Sequence, residues 1–255
     1  MLTALAGALA IGLSLGLLGS GGSILTVPVL HYLLGQPEQA AIGGSLLVVG
    51  LIAAAAAIPH ALKRQVAWRD VLWFGLPGML GAWLGATLSH WIPGIAQLSA
   101  FAIAMLVAAW KMLSSTPVAQ PEDATARHRA AVVAGGFGVG LLSGIVGVGG
   151  GFLIVPALVL LANVPMAQAV GTSLAVIAMN SFTGFGKYLL VLDAKHLVLD
   201  WSTLLAVALI GIVGSVAGNH VGRRMPQARL RRLFGLFLVA MGLFVAADAI
   251  PRLLH

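Results

Sequence analysis

The chain has 255 residues, 60% of them hydrophobic and only 8% charged, with a formal charge of +7 and no cysteine. So few charges cannot cover the surface of a soluble domain of this length, which leaves a polytopic membrane protein. Disulfides and thiolate metal sites are excluded, and no basic cluster interleaved with aromatics points to nucleic acid.

Taken in order, the apolar runs before the middle of the chain are 2–18, 24–34, 40–58, 68–88 and 95–113. A polar linker follows at 114–129, with Pro117, Pro121, Glu122 and Asp123. The later runs are 130–146, 152–162, 167–190, 201–221 and 233–250. A full span needs roughly 20 apolar residues. The runs 24–34 and 152–162 are about half that long, so they are expected to be re-entrant half-helices, each forming a hairpin with the helix before it.

The two sets of runs are copies of one another. GLLGSGGSILTVP, beginning at Gly16, aligns without a gap on GIVGVGGGFLIVP, beginning at Gly144, at an offset of 128. Over 12–48 the offset gives 17 identities in 37 positions, among them Gly19 with Gly147, Pro28 with Pro156 and Ser45 with Ser173. After five inserted residues the offset becomes 133, and Trp68, Gly78, Gly81 and Gly85 meet Trp201, Gly211, Gly214 and Gly218. The glycines at 78–85 and 211–218 line one face of a helix and allow close packing. The chain divides accordingly into a first repeat at 1–113, the linker at 114–129 and a second repeat at 130–255.

Charge sets the orientation. The loop after the third run, the linker with its flanks and the loop before the last run hold 11 of the 14 Lys and Arg. If each hairpin crosses fully or returns, these three loops share one side, which the positive-inside rule makes cytoplasmic, with both termini outside. The five arginines at 223–232 correspond to a stretch around His90 with no Lys or Arg. Duplicated sequence with reversed charge predicts an all-α protein of two inverted-topology repeats, each with a glycine-broken hairpin and about three spanning helices. Its expected location is the cytoplasmic membrane, crossed many times.

None of the seven acidic residues falls in the middle of a predicted span, where a cation carrier or proton relay needs one. The seven histidines have no metal-ligand spacing, and GVGGG is followed by no lysine of a nucleotide loop. No catalytic constellation, metal or cofactor is called for. What remains suits an anion: each glycine break precedes a short helix whose N-terminus carries free N–H groups and partial positive charge. Gly21, Gly22 and Ser23 would supply one such terminus, and Gly149, Gly150 and Gly151 the other. Equally, these glycines serve the tight turn of a hairpin. Ser45 and Ser173, at equivalent positions, offer hydroxyls to an oxyanion or back to their own helix carbonyls. Thr172 and Asn180 add polarity in the second repeat alone, and Lys187 is expected to snorkel to the interface.

GVGGGFLIVPAL followed by AQAVGTSLAV resembles the signature of the TauE/SafE family of membrane transporters, and GSGGSILTVPVL followed by QAAIGGSLLV its first-half counterpart. The resemblance runs over nearly the whole chain. In the first half Ser23 replaces the third glycine, and Gly44 stands where the second half has Thr172. The resemblance implies export of sulfite or organosulfonates by secondary transport; the residues alone give an anion carrier. An anion channel filtered at the glycine breaks and a non-transporting membrane scaffold stay open beside it. The partners expected are a small anionic substrate and the lipid bilayer, and the sequence also allows a homo-oligomer.

Overall fold

The computed structural model describes residues 2–88, 94–114, 126–146, 151–162, 164–194 and 199–253. Among them the chain forms ten α-helices and no strand. Before the linker come α1 (Leu2–Leu18), α2 (Gly22–Pro28) running into a π-helical turn (Val29–Leu33), α3 (Glu38–Leu62), α4 (Trp68–Leu88) and α5 (Gly94–Ser114). After it come α6 (Ala126–Val146), α7 (Gly151–Leu160), α8 (Met166–Ala194), α9 (Trp201–Arg224) and α10 (Gln227–Leu253).

Three of these, within Ala40–Leu62, Met166–Lys187 and Trp201–Arg224, are long and apolar enough to cross a membrane. The outward faces fit that solvent. Leu76, Leu80 and Trp83 of α4 are exposed, and so are Leu209, Val213 and Val216, their counterparts on α9 at the offset of 133. Exposed apolar faces repeated on equivalent helices belong against lipid, and the chain is a multi-pass membrane protein.

The packing follows the sequence repeat. α1 lies along α9 and α6 along α4, while α3 pairs with α8 and α5 with α10. Under the repeat α1 corresponds to α6 and α9 to α4, so the first two pairs are equivalent, and the last two join each helix to its own counterpart. The seams are stitched by glycine. A Cβ on Gly12 would collide with the Gly211 carbonyl, and one on Gly140, its equivalent, with the Gly78 carbonyl. Small residues here let backbones touch, which supplies the contact that a hydrophobic driving force cannot supply in lipid.

The elements differ from the sequence expectation in several places. α10 begins at Gln227, six residues before the predicted 233, so Arg229, Arg231 and Arg232 lie on its first turns. The carbonyl of Pro226 starts that helix by accepting from the N–H groups of Arg229 and Leu230. α6 likewise begins at Ala126, inside the predicted linker, and α3 extends from Glu38 to Leu62. Finally, the short helix after the first break turns π-helical past Pro28, which has no N–H to donate, and Gly35 closes it at φ +66°.

The basic segments meet at one end of the bundle. Pro59 of α3 and Arg223 of α9 line one cavity, and Arg231 Nε donates to the Met112 carbonyl at 2.7 Å, which joins the start of α10 to the end of α5.

Candidate functional site

The site is built where α1 stops. The N–H of Gly19 still reaches the Leu15 carbonyl at 2.8 Å, but Gly19 has φ +77°, a conformation open to glycine and strained for other residues. The chain then reverses. A Cβ on Gly22 would run into the Ile11 carbonyl and the Leu15 side chain, and one on Gly7 would sit 2.9 Å from Val29. α2 and its π turn therefore lie back along α1 as a helical hairpin. α7 folds on α6 in the same way, since Gly135, the equivalent of Gly7, faces Leu161, the equivalent of Leu33.

The first turns of α2 and α7 meet in the middle of the bundle. A Cβ on Gly151 would stand 2.8 Å from Ser23 Oγ and 3.0 Å from Ile177 Cδ1. Ser23 and Gly151 are equivalent at the offset of 128, so one position of the repeat touches its own copy. Ser23 is buried, and its hydroxyl donates to the Ser20 carbonyl at 2.9 Å. Beside it Ser20 Oγ is fully buried with no hydrogen-bond partner. An unpartnered buried hydroxyl at a helix break is a group waiting for a ligand or water. Sequence reasoning passed over Ser20; its signal was the polar residue inside GSGGS where the second copy has Val148.

Ser173 joins this cluster from α8. Its fully buried Oγ lies 3.0 Å from the Gly19 carbonyl and 2.9 Å from that of Val170, donating toward both. The hydroxyl thus latches α8 to the end of α1. Ser45, its equivalent, donates to the Ile42 carbonyl of its own helix at 2.7 Å. Thr172 points elsewhere: its Oγ1 accepts the N–H of Ala67 at 3.0 Å, where α4 begins. Asn180 lies seven residues past Ser173, about 10 Å along the helix axis. There its amide faces Gly78 at the α4–α6 crossing, with Oδ1 buried and unpartnered. Gly21 and Gly22 sit at the first break, whereas Gly149 and Gly150 lie outside the described residues. Lys187 is held away from the site, its Nζ 3.3 Å from the Trp83 carbonyl and 5.1 Å over the Trp83 ring. The structure therefore brings Gly21, Gly22, Ser23, Gly151 and Ser173 together, adds Ser20, and sets Ser45, Thr172 and Asn180 apart by partner or position.

The groups gathered here are neutral hydroxyls and helix-terminal N–H groups; the Ser23 and Ser173 hydrogens are given to backbone carbonyls, and the Ser20 hydroxyl is unpartnered. The comparisons with known proteins agree with a transport role. The profile described as Sulfite exporter TauE/SafE matches residues 4–245. A probable membrane transporter protein of Xylella fastidiosa strain 9a5c is 35% identical over 241 residues, covering 92% of this chain and 90% of its own. Probable membrane transporter proteins of Methanocaldococcus jannaschii and Bacillus subtilis (YunE) are 26% and 27% identical, covering 92% and 89% of this chain and 92% and 90% of their own. No solved structure matches the chain. The chain belongs to the TauE/SafE family and is a membrane transporter.

Proposed function

We propose that this protein is a secondary transporter that exports sulfite, or a small organosulfonate, across the cytoplasmic membrane by alternating access. The observation that carries the reading is the contact of Ser23 with Gly151, two copies of one position meeting at the ends of two helical hairpins. In a membrane, broken helices are tolerated only where they line a protein-enclosed cavity, and paired breaks in two repeats mark a substrate site. Two inverted repeats related by an axis through this contact would aim both short helices at one point. The equivalent α1–α9 and α6–α4 pairings are what such an axis would produce, and the two repeats could rock about it. The sulfur oxyanion comes from the family description; the donor set supports an anion in general.

Sulfite is strongly hydrated, so every water it sheds must be replaced by a donor. Helix-terminal N–H groups and the unpartnered hydroxyl of Ser20 do this without a full positive charge, which would hold the anion too tightly for release; Ser173 joins them only when its hydroxyl leaves the Gly19 carbonyl. Purified protein in proteoliposomes tests the reading. Saturable sulfite flux with counterflow is expected, lost in Gly151→Val, whose side chain would fill the contact with Ser23 and Ile177, while membrane insertion is kept. Large non-saturating currents would identify a channel instead. Sulfite flux no greater than that of empty liposomes, with sulfoacetate and taurine also untransported, would refute the proposal.

A further inference from the structure

A second polar feature lies along α8, beyond the helix breaks. Ser173, Asn180 and Lys187 recur every seven residues, so they share one stripe of the helix at steps of about 10 Å. Gly171 of α8 lies against His60 of α3, and Gly184 against Leu46, so these two equivalent helices run antiparallel. Each therefore comes level with its own copy near Ile52 and Asn180, in the middle of both. Asn180 is 7% exposed there, and its Oδ1 is buried without a hydrogen-bond partner. A polar group left unpaired halfway along a membrane helix is costly and marks a functional position.

Packing does not require this amide. α4 packs on α8 as α9 packs on α3, and at the equivalent place α9 meets Ile52. A Cβ on Gly211 would overlap Ile52 Cδ1, whereas one on Gly78 would keep 3.6 Å from Asn180 Nδ2, an ordinary contact. At this point the polar copy of the seam is the looser one. Gly75, one turn earlier on α4, is as loosely set, its Cβ 3.7 Å from Val176. Lys187 ends the stripe, and its amine rests on the Trp83 carbonyl and ring, both neutral. The first repeat has Ser45, Ile52 and Pro59 at the three positions, so only the second is polar beyond its serine. Asp70 and Asp193, at the far ends of α4 and α8, are the two helices' carboxylates, so an anion between Ser173 and Lys187 passes none of them. An amide midway and an ammonium at the end are donors that an anion can use in turn.

We propose that the seam between α8 and α4 is the outward route of the anion: it parts to pass the ion from the helix breaks to Asn180 and on to Lys187, whose charge draws it to the outer end. This rests on the reading of the breaks as an anion site. The chain has no cysteine, so Asn180→Cys in intact cells reports access from outside. The probes are two methanethiosulfonates of similar size, one carrying a sulfonate and one a quaternary ammonium, with each rate divided by that for a free thiol. The sulfonate should modify Asn180→Cys roughly tenfold faster than the ammonium reagent, and adding Lys187→Gln should erase that preference. Ile52→Cys, the same position on the tight seam, should react with neither. Thr183→Cys, half-buried between Asn180 and Lys187, is a second reporter for which the same order is expected. Reaction of both reporters no faster than that of Ile52→Cys, or a preference that survives Lys187→Gln, would overturn the proposal. Saturable sulfite flux beside that result would leave export standing by another route. The expected pattern in protein that moves no sulfite would count against sulfite and leave the route standing for a different anion.

Discussion

Alanine at Gly81 or Gly214 tests the glycine seams that hold the bundle together. A Cβ on Gly214 would stand 2.7 Å from the Leu9 carbonyl oxygen and 3.1 Å from the Leu13 nitrogen. On Gly81, the equivalent position, it would overlap the Phe137 carbonyl and stand 2.8 Å from the Leu141 nitrogen. Carbon–oxygen contacts between helices settle at about 3.3 Å or more, so α9 must retreat from α1 by roughly half an ångström, and α4 from α6 by more. Overpacking costs about 1–3 kcal/mol, and alanine regains up to about 1 kcal/mol over glycine in helix propensity. The net loss expected is about 1–2 kcal/mol at Gly81 and about half that at Gly214. For a chain of this length that lowers Tm by roughly 2–8 °C in Gly81→Ala. The assay is thermal unfolding of purified protein in one detergent. Gly138→Ala is the control, because a Cβ there meets nothing within 4 Å, and its Tm should hold or rise slightly. Equal Tm values for Gly81→Ala and Gly138→Ala would refute the seam.

Three further predictions concern the site, the topology and pH. Ser173→Ala removes the donor to the Gly19 carbonyl and loosens the end of α1, so sulfite flux should fall by roughly 5- to 10-fold, the equivalent of about 1 kcal/mol; flux equal to or above that of the unmodified protein would remove Ser173 from the mechanism. Arg69→Cys and Arg229→Cys should react with an impermeant thiol reagent only from the cytoplasm and Asp200→Cys only from outside, on a background with no cysteine; labelling of Arg69→Cys from outside intact cells would reverse the topology. Hydrogen bonds from Ser202 and Thr203 hold the Asp200 carboxyl at about 2, so the support it lends the start of α9 is present above the unfolded pKa near 3.8 and is lost as pH falls through about 2. Its carboxyl carbon signal should titrate near 2, and a midpoint near 3.8 would show those bonds to be absent in solution.

What the sequence revealed was whatever is local or repeated. α1 and α4 end where the apolar runs end, because Gly19 stops the first and charged or turn-forming residues bound the second. The copied glycines forecast the seams because close approach leaves no alternative residue. The arginines of 229–232 misled by charge: they read as loop, whereas at a membrane interface a helix start tolerates them with their heads in water. The π turn was hidden because its cause, the missing N–H of Pro28, does not specify how the ladder recovers. The least legible links were the longest. Ser173 reaches Gly19 across 154 residues and Thr172 reaches Ala67 across 105, and no periodicity encodes such pairings.

Thr172 shows how the two repeats have divided a task that sequence alone assigned to substrate. α4 and α9 are equivalent, and each start must be anchored. At α4 the residue in place is Ala67, whose side chain anchors nothing, and its N–H goes to Thr172 Oγ1 of α8. At α9 the equivalent residue is Asp200, whose own carboxylate accepts the Thr203 N–H at 3.2 Å. The position equivalent to Thr172 is then Gly44, where a Cβ would meet Leu204 Cδ2 at 2.6 Å. Alanine with threonine in one copy, and aspartate with glycine in the other, are two solutions to one problem. The hydroxyl that the second repeat has and the first lacks is thereby explained without a substrate. Thr172→Val keeps the shape and removes the acceptor, so it should cost about 1 kcal/mol of stability, roughly 2–4 °C in Tm. KM for sulfite should stay as it was. A raised KM at unchanged Tm would refute the anchoring account and return Thr172 to the substrate site beside Ser173.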